Sequence, residues 1–82
     1  MYSIDWKESA IKELEKLDRS ISSRVFKNVE ELKEGLVKKD VKRLQRSTYF
    51  RLRVGDYRII FSLEDNTITI LKMGHRKNIY KR

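Results

Sequence analysis

The sequence contains no cysteine and one histidine, His75. Without cysteine, the chain can form neither a disulfide framework nor a thiolate site for a metal ion. One histidine without a paired cluster of acidic residues does not supply the ligands of a zinc or calcium site either. We therefore expect no metal ion and no other cofactor. The absence of cysteine is also consistent with a protein of the reducing cytoplasm.

Long hydrophobic runs are missing as well. No apolar stretch approaches the length that crosses a membrane, and residues 1–6 do not have the pattern of a signal peptide. Apolar residues make up 39% of the sequence, and they recur too regularly for a disordered polycation. A chain of 82 residues has the length of one domain. We predict a single domain over residues 1–82 with no membrane partner.

Acidic residues are scarce in the second half of the chain. Residues 1–40 contain nine Lys or Arg and nine Asp or Glu, whereas residues 41–82 contain eleven and three. The net charge of +8 therefore belongs to the second half. Much of it falls in a strand-like run at residues 49–61 and in a tail at residues 74–80. Arginines at alternating strand positions, near a histidine and a tyrosine, indicate a phosphate-binding surface.

The spacing of apolar residues predicts an α+β fold. Residues 2–6 alternate as in a short strand, and residues 7–17 and 21–36 repeat every three or four positions as in two helices. The short polar break at 18–20 predicts an antiparallel helix hairpin, with Gly35 near its end. A basic connector follows at 37–48, and three strands follow at 49–54, 57–64 and 67–73. The predicted order is β-α-α-β-β-β, with the last three strands forming an antiparallel meander in one sheet.

A two-residue turn at Gly55 and Asp56 would fix the register of the meander. Arg53 then lies opposite Arg58, and the two faces of the sheet separate by alternation. The face predicted to seat the helices contains Phe50, Leu52, Val54, Tyr57, Ile59, Phe61, Leu63, Ile68 and Ile70. The opposite face is predicted to contain Tyr49, Arg51, Arg53, Arg58, Ile60, Ser62, Leu71 and Met73.

Two opposed arginines on one sheet face repel each other. Such a pair is retained where an anion binds between them, or where the long side chains splay apart over apolar surface. For Arg51, Arg53 and Arg58 together, phosphate binding is the favoured interpretation. Five further cations are expected to bind an RNA backbone without choosing its sequence: Lys39, Lys42, Arg43, Arg46 and Lys77.

Side chains near these arginines suit the cleavage of RNA without a metal ion. That reaction needs a base for the 2′-hydroxyl, a cation for the phosphate and an acid for the leaving 5′-oxygen. Arginine stays charged and supplies the cation, which makes Arg58 and Arg76 candidates for that role. His75 exchanges a proton near neutral pH, and guanidinium groups around Tyr80 would favour its phenolate. A capping role for His75 and a packing role for Tyr80 are the structural alternatives.

Residues 52–61 (LRVGDYRIIF) and 70–80 (ILKMGHRKNIY) resemble the RelE/ParE superfamily of toxins, and the RelE branch in particular. The order of predicted elements matches the family from end to end. The resemblance implies a ribosome-dependent endoribonuclease that enters the A site and cuts the mRNA codon there. It also implies a RelB-like antitoxin that neutralises the toxin, in a hetero-oligomer that often binds operator DNA. A ParE-like toxin that poisons DNA gyrase and a non-catalytic RNA-binding module are the alternatives.

The resemblance also assigns roles to individual residues. Arg58 and Arg76 match the family's phosphate-contacting arginines, and Tyr80 matches its catalytic tyrosine. Arg51 lies where well-studied relatives carry a catalytic lysine, and a second lysine of theirs has no counterpart here. His75 precedes the arginine, as in relatives that use a histidine. The general base therefore stays open between Tyr80, His75 and a lysine of the connector.

Overall fold

The computed structural model describes residues 1–37, 40–44 and 48–79, and its elements follow the predicted order with one addition. The α+β class and the single sheet are confirmed. The first part contains the strand β1 (Ser3–Trp6), the helices α1 (Glu8–Glu15) and α2 (Arg19–Glu30), and a 3₁₀ helix (Glu31–Glu34). The second part contains the strands β2 (Val41–Arg43), β3 (Tyr49–Val54), β4 (Tyr57–Glu64) and β5 (Thr67–His75).

The added element is β2, which lies within the stretch predicted to be a connector. It pairs antiparallel with β3, so that Lys42 lies opposite Arg51 and Arg43 lies opposite Phe50. Three residues with one apolar side chain are too few to show the alternation that marks a strand. The pairing with β3 is what makes this segment extended.

The five strands lie in the order β1-β5-β4-β3-β2. β1 runs parallel to β5, and the other pairs are antiparallel. Both α-helices cover one face of this sheet, because their apolar stripes can leave water only against it. The buried core between them consists of Ala10, Val25, Val29, Leu32, Leu52, Val54, Ile59, Phe61, Ile68, Ile70 and Met73.

The helical layer ends at Gly35, near the end that the sequence predicts. α2 buries Val25 and Val29 and then tightens into the 3₁₀ helix, whose Leu32 is also buried. Gly35 follows with a φ of 136°, a conformation that favours glycine, and it stops the helix.

None of the described helices has the length and apolarity that a membrane span needs.

The register between β3 and β4 is the predicted one, with Val54 opposite Tyr57 and Arg53 opposite Arg58. Between β4 and β5 the predicted register is correct only from the turn to the pair of Phe61 and Ile70. Phe61 pairs with Ile70, but Ile60 pairs with Lys72, which leaves Leu71 as an extra residue on β5. The extra residue shifts the alternation of side chains, so the residues of β5 after Leu71 lie on the face opposite to the one that simple alternation predicts.

The bulge corrects one predicted position. Met73 was expected on the face opposite the helices, and that prediction was wrong. It pairs with Ile59 and lies in the core with 3% of its surface exposed. Ser9 of α1 stabilises the bulge, because its Oγ donates a hydrogen bond of 2.9 Å to the carbonyl oxygen of Leu71.

Candidate functional site

Cations are concentrated on the sheet face opposite the helices, which we call the outer sheet face. One row across it joins Arg53 of β3, Arg58 of β4 and Gly74 of β5, and the backbone of Asp40 extends this row beyond Arg53. The next row joins Lys42, Arg51, Ile60 and Lys72. Neighbouring strands are about 4.8 Å apart, so Lys42, Arg51, Arg53 and Arg58 lie side by side, while Ile60 separates Arg51 from Lys72.

Asp40 connects the two arginines of β3. Its Oδ2 accepts from Nε of Arg53, and its Oδ1 lies 3.5 Å from Nη2 of Arg51. The side chain of Arg51 is only 20% exposed, and its buried Nε has no hydrogen-bond partner among the described residues. Asp40 therefore draws both guanidinium groups toward the β2 edge of the sheet. Asp40 cannot be identified from the sequence, because an aspartate before a short strand carries no distinctive signal.

Arg58 turns back onto the β3–β4 turn. Its Nη1 donates to the carbonyl oxygens of Gly55, at 2.8 Å, and Tyr57, at 3.0 Å. These bonds use one nitrogen of the guanidinium group. Nε and Nη2 have no partner in the described part of the chain, so they remain donors for a ligand.

Arg76 is held at the same turn by two contacts. Its backbone N–H donates to the carbonyl oxygen of Asp56 at 2.7 Å, and its Nε lies 3.5 Å from Oδ1 of Asp56. Arg58 and Arg76 therefore contact adjacent residues of one turn, Gly55 and Asp56.

His75 ends β5 opposite Tyr57, with the two rings edge to face at 5.7 Å. Its Nδ1 accepts a hydrogen bond of 3.1 Å from the backbone N–H of Lys77. The neutral ring then carries its proton on Nε2. In this arrangement the Nε2–H of His75 is a donor for a ligand.

The chain turns over the outer sheet face after β5. The carbonyl oxygen of His75 accepts from the N–H groups of Asn78 and Ile79, which closes a turn. Ile79 is 8% exposed and packs on Gly74, where an added Cβ would lie 3.3 Å from Cδ1 of Ile79. Glycine at this position therefore allows the turn to lie close to the sheet.

The remaining predicted residues separate into three groups. Lys42 lies beside Arg51 on the outer sheet face, and Lys77 is exposed in the turn after β5. Arg43 alternates to the other face at the sheet edge. Tyr80, Lys39 and Arg46 lie outside the described residues.

Two cations that sequence reasoning missed also lie near the site. Lys72 reaches the outer sheet face because of the bulge at Leu71. Arg24 of α2 extends to the β3–β4 turn, where its guanidinium group lies over Gly55. Neither position can be read from local sequence, since one depends on an extra residue and the other on how a helix packs.

A family profile matches almost the whole chain. The profile for the ParE toxin of the type II toxin–antitoxin system parDE matches residues 4–80. This match agrees with the resemblance carried by residues 52–61 and 70–80, and the chain belongs to the RelE/ParE superfamily of toxins.

Individual relatives agree with this assignment. The toxin RelE3 of Methanocaldococcus jannaschii is 32% identical over 75 residues, which cover 85% of each protein. A chain in the crystal structure of the RelB–RelE antitoxin–toxin complex from Methanococcus jannaschii is 29% identical, with a TM-score of 0.79 over 93% of this chain and 94% of that one. A chain of the archaeal RelE–RelB complex from Pyrococcus horikoshii OT3 is 29% identical, with a TM-score of 0.81 over 94% and 97%. This chain is therefore a RelE-like toxin.

Proposed function

We propose that this chain is a ribosome-dependent endoribonuclease that cuts mRNA in the A site and thereby stops translation. The observation that carries the proposal is that Arg58 and Arg76 contact adjacent residues of the β3–β4 turn, while His75 packs on Tyr57, the residue that follows the turn. A phosphodiester placed there would meet the two guanidinium groups, with His75 at the same end of the sheet on the side of the helices. The likeness to RelE chains supports RNA as the substrate.

The chemistry follows from the groups present. The 2′-oxygen attacks the adjacent phosphorus and loses its proton to a base, while the bond to the 5′-oxygen breaks and that oxygen takes a proton from an acid. Arg58 and Arg76 stabilise the negative charge that develops on the phosphate. His75 offers its Nε2–H to the phosphate as a hydrogen-bond donor, and as the imidazolium it releases that proton to the leaving oxygen and keeps the one on Nδ1. Tyr80, by its resemblance to the family's tyrosine, is the candidate base.

Two carboxylates that pair with the arginines must be displaced when RNA binds. Asp56 pairs with Arg76, and Asp40 pairs with Arg51 and Arg53. A phosphate offers the same kind of acceptor oxygen, so it can replace either carboxylate at a guanidinium group. The basic surface is thus held in place before RNA arrives.

A RelB-like antitoxin is the proposed partner that keeps the toxin inactive. The structures of relatives are RelB–RelE antitoxin–toxin complexes, which supports a protein of this kind. An antitoxin segment with acidic residues would complement the net charge of +8. The ribosomal substrate places the toxin in the cytoplasm, and the toxin–antitoxin complex is the species proposed to bind operator DNA.

The proposal is tested with purified toxin and a programmed ribosome whose A site is empty. We expect a cut within the A-site codon, mapped by primer extension, and no cut in naked mRNA. Arg76→Ala should lower the cleavage rate by about 10²–10³-fold, as removal of a charge-stabilising donor does elsewhere. Arg19→Ala removes an exposed arginine at the start of α2 and should cleave at the wild-type rate.

The opposite result would be intact mRNA with folded, ribosome-bound toxin. DNA damage with intact mRNA in expressing cells would then support a gyrase-poisoning toxin. RNA binding without cleavage or DNA damage would support a non-catalytic RNA-binding module.

A further inference from the structure

The helical layer contributes a cation to the β3–β4 turn. Gly55 has a φ of +59°, and the guanidinium group of Arg24 lies directly above it. A Cβ added to Gly55 would lie 3.3 Å from Nη1, 3.6 Å from Nη2 and 3.7 Å from Cζ of Arg24. The two terminal nitrogens are the nearest atoms of the guanidinium group, so Arg24 directs the end of its side chain at the turn.

The guanidinium group of Arg24 carries five N–H donors that can bind an anion. Arg24 forms no ion pair in the described part of the chain. The side chain is held in place without a carboxylate to satisfy it.

Charge at this turn is strongly unbalanced. Arg24, Arg58 and Arg76 all approach Gly55 or Asp56, and the carboxylate of Asp56 is the one acidic group that the turn itself supplies. Like charges brought together in this way repel each other, and a bound anion removes the repulsion. Arg24 approaches from the helix side of the sheet, whereas Arg58 belongs to the outer sheet face.

We propose that Arg24 binds a phosphate of the RNA strand next to the phosphate held by Arg58 and Arg76. The inference rests on the proposed function. An RNA strand carries one phosphate per nucleotide, so a strand that crosses the end of the sheet at this turn meets Arg24 on one side and Arg58 on the other. Arg24 is thus a binding residue that extends the site from the sheet onto α2.

The test is the salt dependence of binding to a 2′-O-methyl RNA oligonucleotide, which the toxin cannot cleave. Each phosphate of a single strand that a protein neutralises adds about 0.7 to the steepness of log K against log salt. Arg24→Ala should reduce the steepness by this amount and bind about three- to tenfold more weakly at moderate salt. Arg24→Lys, which keeps the charge, should retain most of the slope.

Arg19→Ala is the matched control, because it removes an exposed arginine from the same helix without affecting the turn. It should keep the wild-type slope. Thermal unfolding of each variant establishes that the fold is intact. An Arg24→Ala slope equal to that of wild type, or no oligonucleotide binding by wild type, would overturn the inference. So would an unchanged slope with weaker antitoxin binding, which would assign Arg24 to the antitoxin surface.

Ribosomal cleavage by the wild type separates this inference from the proposed function. Cleavage in the A site with an unchanged Arg24→Ala slope overturns the role of Arg24 alone. Absence of cleavage with a reduced Arg24→Ala slope overturns the endonuclease and leaves Arg24 as a phosphate-binding residue.

Discussion

Arg53 and Arg58 are opposed across β3 and β4, but their guanidinium groups are drawn in different directions. Nε of Arg53 pairs with Asp40, while Nη1 of Arg58 bonds to the carbonyl oxygens of Gly55 and Tyr57. The repulsion expected of two opposed arginines is therefore relieved within the protein itself. Each guanidinium group is oriented before any phosphate binds, which lowers the entropy cost of binding.

Asp40→Asn should strengthen RNA binding. The carboxylate competes with phosphate for Arg53, and an exposed ion pair of this kind contributes about 0.2–1 kcal/mol. Its removal should tighten binding of a 2′-O-methyl RNA oligonucleotide by up to about fivefold at low salt, with an equally small decrease in stability. Fluorescence anisotropy and urea denaturation measure the two effects.

Asp65→Asn provides the control for Asp40→Asn, because it makes the same change of charge in the β4–β5 turn. Asp65 has a φ of 50°, which asparagine tolerates well. The control should bind RNA nearly as wild type does. Weaker binding by Asp40→Asn would mean that Asp40 positions the arginines more than it competes for them.

Substitutions of His75 can separate its chemistry from its hydrogen bond to Lys77. Asparagine places an acceptor near the position of Nδ1 and can keep the bond to the N–H of Lys77, whereas glutamine cannot. We expect the cleavage rate of both variants to fall by about 10²-fold or more, because neither exchanges a proton. Single-turnover cleavage on the ribosome measures this rate. Full activity of His75→Asn would make His75 a positioning residue.

Because of the bulge at Leu71, Met73 lies in the core and Lys72 lies on the outer sheet face. Truncating these two adjacent residues should therefore affect stability very differently. Met73→Ala should lower the free energy of unfolding by about 2–4 kcal/mol, as core truncations do, whereas Lys72→Ala should change it by less than about 0.5 kcal/mol. Urea denaturation at equilibrium measures both values. A costly Lys72→Ala and a neutral Met73→Ala would indicate a register without the bulge.

Gly55→Ala should destabilise the toxin through both its backbone and Arg24. The φ of +59° costs an alanine about 1–2 kcal/mol, and the added Cβ would press on the guanidinium group. The same substitution in an Arg24→Ala background should cost a few tenths of a kcal/mol less. Thermal or urea unfolding of wild type, the two single variants and the double variant measures this double-mutant cycle. A cost below about 0.5 kcal/mol in both backgrounds would contradict the turn geometry.

Much of the sheet was predictable because its turns are local. The two-residue turn at Gly55 and Asp56 sets the register of β3 and β4, and alternation then assigns each side chain to a face. The same reasoning failed beyond Leu71. No glycine marks the bulge, and the Ser9 side chain that stabilises it lies 62 positions away in sequence.

The candidate site was predictable to the extent that it lies on strands. Register alone places Arg58 beside Gly74 and His75 beside Tyr57, and the motif identifies Arg58 and His75. The positions of Arg24 and Asp40 depend on how α2 and the β2 segment pack against the sheet, which no pattern in either segment encodes. Residues from helices and edge strands are those that sequence reasoning missed.

The parallel pairing of β1 with β5 joins one of the first segments of the chain to one of the last. Ser3 lies beside Thr67, and β5 is also the neighbour of β4. During synthesis the sheet cannot be completed until residues 67–75 have been made and released from the translating ribosome. A fragment that stops before residue 67 lacks the strand with which both β1 and β4 pair, so it cannot complete the sheet.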